Sequence, residues 1–210
     1  YVDKMFSQPL NNYSALDLAT KLTDDIRQRF SYVADADGQD NWQDVATTLK
    51  RKQGDCEDLT NLQASALSYA LEKAGYSKQA QSLRVLAGNL NNSTVGHSVL
   101  VFNDASNTAW VLDASATGSS LDSKLSLDAF TKHYGFNTLL SYNEHSTQVL
   151  GPLEGFSTAT DAASFFETVD GTNYSTNLDG DSIAQNTLVD HFKGTGADTA
   201  ANAENNFHSA

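Results

Sequence analysis

The segment Gln53-Gly54-Asp55-Cys56-Glu57-Asp58-Leu59 holds the one cysteine of the chain, at the point where a charged stretch meets an apolar helical pattern. Lys50, Arg51 and Lys52 precede it, and Gly54 reads as the joint of a loop. Leu59, Leu62, Ala66 and Ala70 follow at helical spacing, and Gly75 suits the residue after a helix C-terminus. Cys56 is therefore expected at a helix N-terminus, where unpaired N–H groups and the positive end of the dipole favour a thiolate, the reactive form. Asp55, Glu57 and Asp58 act in the opposite sense. A lone cysteine is also a common small buried hydrophobe, so the nucleophilic reading depends on partners elsewhere in the chain.

The pattern before this segment is helical. Ala15, Leu18, Ala19, Leu22, Ile26 and Phe30 mark one face of a helix over residues 14–30, with Ser14 as N-cap and Asp17 in the first turn. Asp35, Asp37 and Asp40 then surround Gly38, in a spacing that resembles a calcium loop without matching the EF-hand; a solvated turn is the simpler reading. Trp42, Val45 and Leu49 form the apolar side of a short amphipathic stretch over residues 41–49.

Beyond Gly75 the pattern changes to short runs rich in Val and Leu, read as strands over 82–90, 96–102 and 109–115. The turn-forming residues 103–107 lie between the last two. A hairpin centred on Ala105 places His97 opposite Asp113, Val99 opposite Val111 and Val101 opposite Ala109, with Leu100 facing Trp110 on the other side. Directly opposed residues have Cβ atoms about 4.5–5.5 Å apart, within reach of an imidazole–carboxylate hydrogen bond. A short helix is expected over 126–134 and one or two further strands over 137–150, joined near Asn143. His133, His145, His191 and His208 have no comparable partner in the sequence.

After Gly151-Pro152 the character shifts. Two small helices are expected, over 160–169 and 182–192, in an extension spanning 151–193. Residues 194–210, rich in Gly, Ala, Asn and Asp, carry too little apolar surface to offset ordering entropy and read as a disordered tail.

The 210-residue chain is long enough for one domain with a sizeable core, here residues 1–150. Its net charge of -13 argues against nucleic acid and against anionic membrane surfaces. No apolar run approaches the roughly 20 residues needed to span a bilayer. A start at Tyr1, with no initiator Met or signal-like segment, is read as a mature or excised form. Scarce lysine with abundant Asp, Asn, Ser and Thr leans towards an exported protein, periplasmic or extracellular.

Cysteine at a helix start, followed by histidine and aspartate on neighbouring strands, supplies a nucleophile, a general base and an orienting acid in the order Cys56, His97, Asp113. Asp40-Asn41-Trp42, Gly54-Asp55-Cys56-Glu57-Asp58, Gly96-His97-Ser98-Val99-Leu100-Val101 and Trp110-Val111-Leu112-Asp113 together resemble the transglutaminase-like superfamily. Within it they are most similar to the bacterial LapG-type cysteine proteinases, which cut biofilm adhesins from the cell surface. The resemblance covers about residues 42–115. It implies an α+β, papain-like core, with a helical part bearing Cys56 packed on an antiparallel sheet bearing His97 and Asp113.

By position, the resemblance implies a thiol-dependent peptidase acting on a protein substrate such as a surface adhesin, at sites of the Ala-Ala type. The oxyanion would take the Cys56 N–H and a second donor, for which Gln43 and Trp42 are the candidates. Calcium dependence is implied as well, with Asp55, Glu57 and Asp58 as ligands; the plain alternative for these acids is compensation of the helix dipole. Two other functions stay open: acyl transfer to an amine, which shares the thioester intermediate, and a non-catalytic binding or assembly domain of a larger surface protein.

Overall fold

The computed structural model describes residues 1–35, 42–91, 96–116, 124–143 and 147–149. The expected helices over 160–169 and 182–192, the 151–193 extension, the 194–210 tail and the Asp37–Asp40 part of the acidic loop lie outside these. In chain order the elements are α1 (Val2–Met5), a 3-10 turn (Leu10–Asn12), α2 (Ala15–Arg29), β1 (Ser31–Tyr32), α3 (Val45–Arg51), β2 (Gln53–Gly54) and α4 (Cys56–Ala74). There follow α5 (Ser77–Gln81), β3 (Arg84–Asn89), β4 (Gly96–Asn103), β5 (Ala109–Leu112), β6 (Lys124–Ser126), α6 (Leu127–Tyr134), β7 (Asn137–Tyr142) and β8 (Thr147–Val149).

Two helices start and stop where their sequences dictate. In α2 the Ser14 hydroxyl accepts from the Asp17 N–H while the Asp17 carboxylate accepts in return, a full capping box. In α4, Gly75 closes the helix at φ 88°, a conformation an L side chain would resist. Leu18, Leu22 and Ile26 of α2 and Leu59, Leu62, Leu67 and Leu71 of α4 are all but fully buried, so the two helices share one apolar interior. Each such side chain contributes about 1.5–3 kcal/mol of transfer free energy.

Six strands form one antiparallel sheet in the order β6-β5-β4-β3-β7-β8. Both faces are covered. Val85, Ala87, Leu100, Phe102, Leu112, Leu140 and Tyr142 join the interior shared with α2 and α4. Leu86, Val99, Val101 and Val111 pack with Phe130, Tyr134 and Phe136, in and just after α6. The architecture is thus α+β, with a helical layer against an antiparallel sheet.

The β4–β5 hairpin corrects the expected register. Its turn occupies residues 104–108 rather than 103–107, so Val101 pairs with Val111 and Leu100 with Leu112, two residues away from the expected partners. Asp104 causes the shift: its Oδ1 accepts from the N–H groups of Ser106 and Thr108 and from the Ser106 hydroxyl, while its Oδ2 accepts from the Trp110 indole. That side chain closes the loop one residue later than composition suggested. A shift of two preserves which residues share a face, so His97 and Asp113 stay on one side, diagonal instead of directly opposed.

The stretch before Cys56 is also more ordered than a loop. The left-handed Lys52 ends α3, and β2 then pairs in parallel with β1 through Ser31 N–H to Lys52 O and Val33 N–H to Gly54 O, both 3.0 Å. This two-stranded ribbon ties the exit of α2 to the entrance of α4.

Candidate active site

Cys56 is the first residue of α4, so its N–H has no partner within the helix. The residue is buried, and its Sγ donates to Glu57 Oε2 at 3.1 Å. One turn on, Thr60 Oγ1 donates to the Ser98 carbonyl at 3.0 Å, which fixes this end of α4 against β4 beside His97.

His97 lies near the start of β4, and Asp113 directly after the end of β5, at the same end of the sheet. Their side chains meet at 2.8 Å, His97 Nε2 to Asp113 Oδ2, with the imidazole nearly buried and the carboxylate wholly so. Burial disfavours an imidazolium here. The Asp113 hydrogen bond, followed by the influence of Cys56, outweighs it and pushes His97 up to about 10. With Nε2 on Asp113, Nδ1 is the ring nitrogen left to serve Cys56. The structure therefore brings His97 and Asp113 into direct contact, and places Cys56 at the start of the helix packed on β4.

A fourth residue escaped that reasoning. Ser115 donates to Asp113 Oδ1 twice, through its N–H at 3.0 Å and its hydroxyl at 2.8 Å. Both oxygens of the buried carboxylate are thereby satisfied, and its orientation is fixed. The signal was present as an aspartate followed two residues later by a serine, the spacing of an Asx-turn.

The acidic residues around the cysteine divide in a way the sequence did not suggest. Oxygens of Asp35, Asp55 and Glu57 lie within 4.8 Å of one another. Asp55 Oδ1 is buried without a hydrogen-bond partner among the described residues. Three convergent carboxylates with a buried orphan oxygen fit a hard divalent cation such as Ca²⁺. Asp58, expected in this set, is instead bound to Gln43: its Oδ1 accepts from the Gln43 N–H at 2.6 Å and its Oδ2 from the Gln43 side-chain amide. Burial, and next the Asp55 charge, raise the Asp58 carboxyl to about 7 against the pull of those donors. Asp35, assigned to a separate loop, takes the vacated place because the β1–β2 ribbon carries it beside Asp55.

Of the two expected oxyanion donors, Gln43 spends its side-chain amide on Asp58, with a longer contact to the Gln53 carbonyl. Trp42 is buried and stacks on Tyr142 at 6.1 Å between ring centroids. His133 sits edge-on to Tyr134 at the end of α6, away from this group, whereas His145, His191 and His208 lie outside the described residues.

No family model matches the chain, and neither does any curated protein. Among solved structures it is similar to calcium-bound LapG of Legionella pneumophila, at 21% identity over 70% of this chain and 73% of that one, with a TM-score of 0.49. The EGTA-treated form of Legionella pneumophila LapG gives 22% identity over 70% and 71%, also at 0.49. Among the described residues no helix is long and apolar enough to cross a membrane.

Proposed function

We propose that the chain is a cysteine-dependent amide hydrolase, an endopeptidase acting on a protein substrate such as a surface adhesin, in a periplasmic or extracellular setting. The observation that carries this reading is the buried His97–Asp113 hydrogen bond, at the point where the Thr60–Ser98 bond ties the start of α4, which bears Cys56, to β4. Cys56 Sγ, its proton passed to His97, attacks the scissile carbonyl. The C–N bond then breaks as the imidazolium protonates the leaving amine, which leaves a thioester on Cys56. His97 next takes a proton from water, whose oxygen attacks the thioester and releases the acid and the thiol. Asp113 holds the ring in the tautomer that presents Nδ1, and Ser115 holds Asp113.

Asp35, Asp55 and Glu57 would hold Ca²⁺, with the orphan Asp55 oxygen as the feature that favours an ion there. Bound, the ion supplies a fixed positive charge beside the nucleophile and offsets the carboxylates that crowd it. The β1–β2 ribbon and the start of α4 would then be held by the same ligands.

Hydrolysis separates from acyl transfer when a peptide containing Ala-Ala is incubated with the protein and a labelled primary amine. Cleaved ends without label are expected. Amine incorporation without chain cleavage would make the transferase the better reading.

A further inference from the structure

Asp113 stands outside the sheet that carries its partner. The β4–β5 ladder ends at the pair Leu100 and Leu112, so among the described residues no ladder pair includes the aspartate. Residues 113–116 instead form a turn closed on itself, with Ser115 donating twice to Asp113 Oδ1 through its N–H and its hydroxyl. Those bonds shape the turn and move with it, and do not fix it to the rest of the fold. Ala114 and Ala116 are buried but offer a single methyl each. A polar tie to the helical layer comes from Arg27, in the last turn of α2, whose Nη2 donates to the Ala116 carbonyl at 2.7 Å. Thr23 lies four residues earlier on the same face of α2, and its Oγ1 accepts from the side-chain amide of Gln63 at 2.7 Å. Gln63 belongs to α4, the helix that starts at Cys56. One face of α2 thus binds both the cysteine's helix and the aspartate's turn.

We infer that Arg27 is a positioning residue of this site: its bond to the Ala116 carbonyl anchors the 113–116 turn to α2 and so keeps the Asp113 carboxylate against His97. The inference rests on the hydrolase reading above. Arg27 touches neither substrate nor reacting atoms, and its effect reaches the chemistry through Asp113. Because Ser115 joins the two ends of the turn, a displacement of Ala116 carries Ser115 with it, and Ser115 carries the carboxylate. The 2.8 Å contact between Asp113 Oδ2 and His97 Nε2 is what such a displacement disturbs, at the point where a small misplacement is most costly to the rate. The guanidinium suits the task because it stays charged, and a charged donor binds a carbonyl more strongly than a neutral one.

The test is a double-mutant cycle over wild type, Arg27→Met, Asp113→Ala and the double variant. Arg27→Met keeps an unbranched stem and removes the donors. The rate of Cys56 alkylation by iodoacetamide is measured in all four proteins, and kcat and KM on an Ala-Ala peptide in wild type and Arg27→Met. With Asp113 present, Arg27→Met is expected to lower the alkylation rate and kcat about tenfold, with KM within about twofold of wild type. In the Asp113→Ala background the same change should alter alkylation by less than about twofold, since the group through which Arg27 acts is gone. Arg27→Lys restores a charged donor and should come back to within about threefold of wild type. Should Arg27→Met not fold by circular dichroism, Arg27→Lys carries the same comparison, with a loss of about threefold beside Asp113 and none without it. Wild-type rates in Arg27→Met would overturn the inference while leaving the hydrolase reading intact. An equal loss in both backgrounds would overturn it too, because Arg27 would then act on the fold at large and not through Asp113. A wild-type protein that alkylates no faster than free cysteine and leaves the peptide intact would overturn the hydrolase reading itself.

Discussion

Thr60 Oγ1 bonds the Ser98 carbonyl at 3.0 Å, linking the helix one turn beyond Cys56 to the strand one residue beyond His97. Cys56 and His97 come from separate layers of the fold, and this is a buried polar tie between those layers at the level of the site. Thr60→Val keeps the shape and removes the donor. A loss of about 1–3 kcal/mol in unfolding free energy is expected, together with slower alkylation of Cys56, because the buried carbonyl loses a partner and the two layers lose their shared register. Urea unfolding and iodoacetamide kinetics on the same samples check this.

Gly54 precedes the helix start under close constraint. A Cβ there would stand 2.5 Å from both Cβ and Oδ2 of Asp58, the carboxylate that anchors Gln43. Gly54→Ala should therefore destabilise by roughly 1–3 kcal/mol, since the contact is with a short side chain on a helix and not with a flexible tip. Thermal melting of the variant measures it.

Much of this arrangement was legible beforehand because it depends on local chemistry. Ser14 with Asp17 marks a capping box, Gly75 a left-handed cap, and the Cys56 junction a helix start, each decided by a few neighbouring residues. The same-face relation of His97 and Asp113 was also legible, because alternation along strands survives an error of two in register. What escaped depended on contacts between distant segments. The β1–β2 ribbon has two residues per strand and no periodicity to display, yet it brings Asp35 beside Asp55 and Glu57. The role of Asp58 was misread for a related reason: its partner Gln43 lies across a loop, and nothing local distinguishes a carboxylate that binds an amide from one that awaits a cation.

The division of the acids yields a calcium prediction. Calcium added to the chelated protein should raise the melting temperature, as any ligand bound only by the native state does. Asp35→Asn and Asp55→Asn should each weaken binding in isothermal titration calorimetry by more than tenfold. Asp58→Asn should leave the stoichiometry unchanged, because its carboxylate is already bound by Gln43.

The raised His97 value carries a pH signature. Relative to its ordinary value of 6.5, a folded-state value of about 10 means the native protein holds this proton more tightly than the unfolded chain. The resulting stabilisation is fully present below about 6.5 and is lost as pH rises through about 10. Unfolding free energy should thus decline between pH 7 and pH 10 in wild type, and less steeply in His97→Gln. Denaturant titrations at intervals across that window measure the difference.

Ser115→Ala removes one of the two Ser115 bonds that hold Asp113 Oδ1 while the backbone N–H bond remains. A partial effect is expected, with kcat reduced several-fold and KM little changed, since Ser115 is buried and acts through Asp113. Steady-state kinetics on the Ala-Ala peptide resolve the two parameters.

The central claim is that Cys56 is a nucleophile activated by His97, and its alkylation rate tests that without knowledge of the natural substrate. Iodoacetamide at neutral pH should modify Cys56 of the wild-type protein much faster than free cysteine, and His97→Ala should lower that rate by at least tenfold while the protein remains folded by circular dichroism. Equal and slow rates in the two proteins would contradict the account and leave Cys56 as a buried structural thiol.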